Sequence, residues 1–587
     1  MRKIISFVFI FSTIVFTACK KDFLEVFPQG KMTINAFQNE EGIKGILIGA
    51  YALIDGTTGG SRANAWSGSV SNWVWGDVAS DDAYKGSTPG DQADINPIER
   101  YETLPTNPYV EYKWITNYEG VNRANQLIKL VNRTEDIGGI SAEKASEYRA
   151  EGRFLRAWHH FELKRVFNNI PYIDEKVEDP GTVTNKIDAW PFIEKDLLYA
   201  IENLPETQQE VGRATKYAAM AVLSRVYLFE HKYSDAKKWL DEIIKSNKFH
   251  LVESFHDNFR IATRNNKESI FEIQFAVNDG AIKSFNGRYG DALNFPWINE
   301  GGLSLCCGFQ NPSQNLVNAF KVDDNGLPLL DNFDETDLKN DMGVGSAAEF
   351  VPTTETVDPR LDWTVARRGI PIEDWMVHRG KDYSRDQANG GPYAQKKNFF
   401  TRDEWQVYTT TSGWAPGVSS NNFRAYRYGH ILLWRAEVAV EEDDLNYAME
   451  LVNMIRERAA NDVVKGRAKN RTNRLRTFND AIIVDTDSAS ANYLVKPYTS
   501  FPDKEYARKA VRFEMRLEFA LEGQRFFDLV RWGIADKVIN DYIEKDNYFR
   551  EVLNGAHFTK GQDEYWPIPQ SQIDLSGPDV LIQNPGY

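Results

Sequence analysis

The chain has 587 residues, 42% of them hydrophobic, and carries 69 Lys and Arg against 84 Asp and Glu, a formal charge of −15. That balance excludes a nucleic-acid binder, which needs a basic face to displace counterions from phosphates. Three cysteines, two of them adjacent, exclude a fold stapled by disulfides between distant segments.

The first residues read as a processing signal. Met1, Arg2 and Lys3 give a positive start, Ile4 to Phe16 an apolar run, and Thr17 and Ala18 precede Cys19. The run is shorter than the roughly 20 apolar residues that span a bilayer. Small residues before Cys19 resemble the lipobox of bacterial lipoproteins, which implies cleavage after residue 18 and acyl chains on Cys19. Each buried methylene would contribute about 0.8 kcal/mol to anchoring. A plain secretory signal with an unrelated cysteine is the alternative. Residues 19–30 then form anchor and tether.

Residues 31–250 carry a helical pattern. Helices are predicted from Asn35 to about Ile54, Asn117 to Val131, Ala142 to Phe167, Trp190 to Asn203, Lys216 to Phe229 and Ser234 to Lys245. Paired helices with short turns resemble tetratricopeptide-like hairpins, which stack to bury a shared core. Residues 251–425 are rich in Gly, Asn, Asp, Pro and Trp and read as an irregular lobe, with one strand at Ile270 to Phe275. In residues 426–587 helices return at Tyr428 to Val440, Leu445 to Ala459 and Tyr506 to Leu521, with Gly523 as a stop, inside the same globular unit. The fold class is mainly α: a tetratricopeptide-like scaffold with a large irregular lobe and few short strands.

One resemblance covers essentially the whole chain. The string Arg512-Phe-Glu-Met-Arg-Leu-Glu-Phe-Ala-Leu-Glu-Gly523-Gln-Arg-Phe-Phe-Asp-Leu-Val-Arg-Trp532-Gly533 is similar to the C-terminal signature of the SusD/RagB family. So are the stretches Tyr565 to Asp574 and Gln583 to Tyr587. Upstream, Cys19 with Asp22 to Glu25, Ser80 to Gly86, Glu151 to Trp158, Asp358 to Asp362 and Arg427 to Glu437 match in order. The resemblance implies a non-catalytic lipoprotein on the exterior of an outer membrane. It would bind oligosaccharides, or peptides in RagB-like branches, and act as the lid of a SusC-like TonB-dependent transporter. Within Tyr506 to Leu521, Arg512 with Arg516 and Glu514 with Glu518 lie one turn apart. Such pairs usually form solvated or packing-face ion networks worth about 0.2–0.5 kcal/mol each at a surface. Phe526, Phe527 and Trp532 read as core.

Sugar recognition needs aromatic or other flat apolar plates for C–H faces, and amides, carboxylates or arginine for hydroxyls. Asn64, Trp66, Trp73, Trp75, Asp77 and Asp81 offer both within one stretch. If that stretch is extended, Trp73 and Trp75 share a face; either could instead plug a core hole. In the lobe, Trp297 precedes Cys306 and Cys307, which could close a vicinal disulfide, a flat plate able to stack on a sugar, or remain two buried thiols. Arg367, Arg368 and Tyr393 are further lobe candidates, with an internal ion pair as the alternative for either arginine. No metal or cofactor motif is found: no zinc pattern, nucleophile elbow or Walker loop occurs. Carboxylate pairs such as Asp81 and Asp82 leave an extracellular glycan hydrolase as a remote alternative. A cysteine plate suits a flexible sugar such as a fructan better than flat-faced glucans, and uronic acid polymers fit the −15 charge less well, unless local arginines override it.

Overall fold

The computed structural model describes residues 37–57, 65–280, 286–411, 416–548 and 550–587. Cys19 and Asn64 lie outside them. Helix α1 (Glu40–Tyr51) is capped by the Asn39 side chain, which accepts from Gly42 N. α2 (Pro108–Asp136) starts nine residues before the Asn117 expected from periodicity: Asn107 caps it, Pro108 takes the first turn, and Tyr109, Val110, Lys113 and Trp114 are buried there. α3 (Ala142–Phe167), α4 (Trp190–Asn203), α5 (Lys216–Phe229) and α6 (Tyr233–Lys245) follow, each packed on its predecessor. α6 then packs on α7 (Tyr428–Glu441), and α7 packs on both α8 (Leu445–Ala460) and α9 (Lys504–Phe519). This succession of antiparallel neighbours is the tetratricopeptide-like scaffold, and its core runs from Ile43 to Leu581.

α9 stops at Phe519, so Gly523 lies four residues past its end. The glycine serves a close approach instead. Its φ is 73°, and a Cβ there would lie 1.8 Å from Ser71 O. The short α10 (Arg525–Arg531) and α11 (Ala535–Asp546) follow. Among the described residues no helix is long and apolar enough to cross a membrane.

The lobe has a core of its own, with Phe295, Ile298, Leu305, Trp375, Phe399 and Phe400 at its centre. Its sheets are two-stranded. β1 (Ala83–Gly86) pairs antiparallel with β3 (Phe309–Pro312), and β2 (Ser269–Ile273) with β4 (Phe423–Arg427). β2–β4 joins lobe to scaffold, since Phe271 packs its ring edge-on against Phe154 and Trp158 of α3.

The charged rows of α9 are not solvated. Glu514 and Glu518 are fully buried. Glu518 takes Arg360 and Arg427 at 3.1 and 2.6 Å, and Arg458 as a third partner. Glu514 takes Arg360 and Arg456 at 2.7 and 2.8 Å. Arg427 also reaches Glu522, which pairs with the buried Lys397. Arg516 leaves the helix to pair with Asp81 and Asp82. A surface value per pair therefore does not apply: each carboxylate is held by several cations out of water, where removing one partner strands the others.

Candidate functional site

The site is assembled where β1 and β3 end. Their register, Ala83↔Pro312 to Gly86↔Phe309, sets the loop after β1 beside the turn before β3. Gly86 makes this approach possible: its φ is 81°, and a Cβ would lie 2.2 Å from Gly308 O. Ser87 N donates to that same carbonyl at 2.5 Å. From the other side Asn389 Nδ2 donates to the carbonyls of Gly86 and Ser87, at 2.8 and 3.1 Å. The buried Lys85 ammonium holds the loop from below, donating to the carbonyls of Thr88, Pro89 and Asp91 at 3.1, 3.2 and 2.9 Å. Burial lowers its pKa to about 8, against the opposing pull of Glu99 and Asp91.

The turn before β3 carries the cysteines. Cys306 and Cys307 are joined in a disulfide across a cis peptide. An antiparallel bridge between Ile298 and Leu305, both buried, closes a hairpin. Trp297 and Cys306 lie one residue outside that bridge on its two arms. Both are partly exposed. The cysteine arm approaches Arg385, whose Cβ lies 3.7 Å from where a Cβ on Gly308 would be. Arg385 completes the group. Its guanidinium lies over the Trp297 ring, 5.0 Å from the centroid. Its NH1 donates to Ser87 Oγ at 3.0 Å and pairs with the Asp91 carboxylate. Ser87 Oγ in turn donates to Asp91 at 2.9 Å. The result is a rim with the partly exposed indole and Cys306 and the partly exposed Arg385–Asp91 pair, which the buried Ser87 hydroxyl braces from behind.

The residues singled out from sequence divide sharply. Trp297, Cys306 and Cys307 lie on the two arms of this hairpin. Trp66 is partly buried in the single turn Ala65–Gly68, which packs on the 289–291 turn, two residues before Leu293, whose carbonyl accepts from Cys307 N. The others are structural. The stretch is not extended but a π-helical turn, Trp73–Val78, and of the two readings the core one holds: both indoles are completely buried. Trp73 Nε1 donates to Gly290 O at 3.0 Å and Trp75 Nε1 to Ser67 O at 2.8 Å, so both are core. Asp77 is also buried. It accepts Gly523 N on both oxygens, at 3.0 and 3.1 Å, and Gln310 Nε2 at 2.7 Å. Burial, with Asp82 nearby, raises its pKa well above the usual range. Asp81 is clamped by Arg516 and Arg525; burial pushes its carboxyl up, but the two guanidinium groups outweigh that and bring it to about 2. Arg367 forms the internal ion pair, with Asp362 at 2.6 Å. Arg368 is fully buried and donates to the carbonyls of Val344, Gly345, Ser346, Ala348 and Asn473, bracing two lobe segments. Tyr393 is buried, its hydroxyl on Gln314 at 3.1 Å.

Sequence reasoning missed Ser87, Asp91 and Arg385. Nothing in the residue pattern marks them, because they meet Trp297 only through the β1–β3 pairing. An open cavity of about 790 Å³, lined by Ile48, Tyr51, Asp55, Arg123 and Val211 among others, holds none of the residues singled out.

Residues 267–587 match the model of the SusD family, and residues 22–228 match a family described as starch-binding associating with outer membrane. A SusD-like protein of Bacteroides ovatus is 28% identical over 226 residues, 36% of this chain and 40% of that protein's length. The starch-binding protein SusD of Bacteroides thetaiotaomicron is 23% identical over 84% of this chain and 81% of its own. Among solved structures, surface glycan-binding protein A of Bacteroides thetaiotaomicron, in complex with laminarihexaose, superposes with a TM-score of 0.66 at 20% identity, covering 93% of this chain and 99% of that one. At such identity the likeness establishes the shared fold.

Proposed function

The chain belongs to the SusD family, and on that premise we propose that it is a non-catalytic glycan-binding protein of an outer-membrane surface. The observation that carries the reading is the rim where Trp297, the Cys306–Cys307 disulfide and Arg385 meet. Flat apolar groups of this kind cover sugar C–H faces, while Arg385 and Asp91 supply donors and acceptors for hydroxyls. The names of the relatives, starch-binding and in complex with laminarihexaose, support the same class of ligand. A plate as small as one disulfide ring follows a flexible chain such as a fructan better than it covers a flat glucan ribbon. The carboxylate at the rim, Asp91, is tied to Arg385 and Ser87 rather than paired across a cleft with a second acid, which supports binding without hydrolysis. Acylation at Cys19 would hold the protein at the membrane, and a SusC-like TonB-dependent transporter beneath it, with this chain as lid, would receive the bound oligosaccharide.

Calorimetric titration of the chain lacking residues 1–19 tests this against neutral oligosaccharides, acidic oligosaccharides and mixed peptides. Binding of one glycan class, weakened about tenfold or more by Trp297→Ala, supports the reading. Binding to peptides alone moves the chain to the RagB-like branch, and product release from any oligosaccharide overturns the non-catalytic assignment.

A further inference from the structure

Arg385 brings a positive charge to the rim, and an unmatched guanidinium there would favour carboxylate or sulfate groups on a ligand. This one is matched. The Asp91 carboxylate occupies its NH1 edge, and Ser87 Oγ bridges the two side chains. Asp91 is not free to swing away, because its own carbonyl, with those of Thr88 and Pro89, is gathered on the buried Lys85 ammonium. Behind Lys85, Glu99 accepts the Lys85 main-chain N–H at 3.1 Å. Among the described residues, the Nε and NH2 donors of Arg385 make no protein hydrogen bond, and its side chain is 30% exposed. The group therefore offers N–H donors to a ligand while its charge is already satisfied.

We propose that Asp91 is a specificity-determining residue that restricts this rim to uncharged glycans: it turns Arg385 from an anion receptor into a donor for hydroxyls. A uronate or sulfate group reaching Arg385 would gain little attraction, since the guanidinium is neutralised, and would face the Asp91 carboxylate across it. With the guanidinium between them, that repulsion is of the same order as the exposed pair itself, up to about 1 kcal/mol, and weakens binding a few-fold. A hydroxyl feels no such opposition and keeps its hydrogen bond. The inference rests on the rim being the glycan site.

The test uses the chain lacking residues 1–19 as wild type, Asp91→Asn, Asp91→Glu and Trp297→Ala. Each is titrated with neutral hexasaccharides of glucose, mannose, xylose and fructose, with hexagalacturonate, and with a sulfated heparin hexasaccharide, after thermal melts confirm folding. The expected result is that wild type prefers a neutral chain by a few-fold, that Asp91→Asn closes that gap by gaining affinity for the acidic chains, and that Asp91→Glu restores it. Raising salt should shrink the gap in wild type. The inference is overturned if wild type binds an acidic chain as tightly as any neutral one, if Asp91→Asn leaves the ratio unchanged, or if no oligosaccharide binds. Failure of the site itself looks different: Trp297→Ala would then leave every affinity where it was. A loss of all binding in Trp297→Ala with an unchanged ratio in Asp91→Asn refutes only the role given to Asp91.

Discussion

Arginine meets carboxylate in two regions of this molecule, with opposite consequences. Around Glu518 the partners Arg360, Arg427 and Arg458 converge from three other segments, and every member is out of water. At the rim, Arg385 and Asp91 make a single pair, 30% and 25% exposed. A buried carboxylate that stays ionised, as Glu518 does, is held by several cations at once, so its surroundings are fixed over long stretches of chain. An exposed pair contributes about 0–1 kcal/mol and leaves its surroundings free. The first arrangement builds the fold and the second can be tuned for a ligand.

The largest effect expected from breaking this contrast is at Glu518. Glu518→Ala leaves three buried guanidinium groups short of a partner and should cost about 3–5 kcal/mol in urea denaturation. Asp91→Asn should cost under about 1 kcal/mol in the same experiment. Equal losses would erase the distinction. Trp75→Ala belongs with the first region: its indole is fully buried against Trp566, centroids 4.9 Å apart. It should lose about 3–5 kcal/mol of stability and leave the affinity of the folded fraction unchanged. A folded Trp75→Ala with normal stability and lost binding would return that residue to the ligand surface.

Acid and base press on the buried carboxylates from two sides. Asp81 and Glu522 are held at about 2. In Glu522, as in Asp81, burial pushes the pKa up and the adjacent cations, Arg427 first, more than reverse it. A depressed carboxyl gives stability above its unfolded value near 4 that is lost as pH falls through the folded value. Asp55 and Asp546 are raised to about 7 by burial. Their contribution is present below about 4 and lost as pH rises toward 7. The melting temperature should therefore peak at about pH 4, decline gradually toward about pH 7 and fall steeply between about 4 and 2. A melting temperature flat down to pH 2 would mean that the network does not stay ionised in the fold.

What the sequence made legible follows the same division. Helices with strong 3.6-residue periodicity and clear caps, such as α3 after Ser141 and α5 after Thr215, fall where the pattern puts them. The motif strings were visible because the buried network fixes many neighbours at once: Asp358 with Arg360, Arg427, and Glu514 to Glu522 all meet in it. Visibility did not reveal role. Asp81 and Arg368 have the chemistry of ligand residues, yet the fold uses them to hold its own segments. Trp73 and Trp75 misled for a local reason, since a π-helical turn presents side chains with neither strand nor α-helical period. The rim was half legible. Trp297 and the cysteines share one hairpin and could be found together, whereas Ser87, Asp91 and Arg385 arrive from two distant segments.

The smallest expected effect lies inside the rim, at the disulfide. Cys307 packs into the principal core while Cys306 is only partly buried. The double variant Cys306→Ser/Cys307→Ser removes the plate and little volume. It replaces an apolar surface beside Trp297 with two hydroxyls that a sugar cannot stack on. Affinity for the preferred neutral oligosaccharide should fall a few-fold, on the order of 1 kcal/mol, less than for Trp297→Ala because the indole offers more apolar area. Mild reduction of the wild type should reproduce the loss, and reoxidation should reverse it. If the double variant binds as wild type does while Trp297→Ala does not, the plate is a structural support for the hairpin and the indole alone meets the sugar. If both lose affinity and their combination loses no more than Trp297→Ala, indole and disulfide act as one surface.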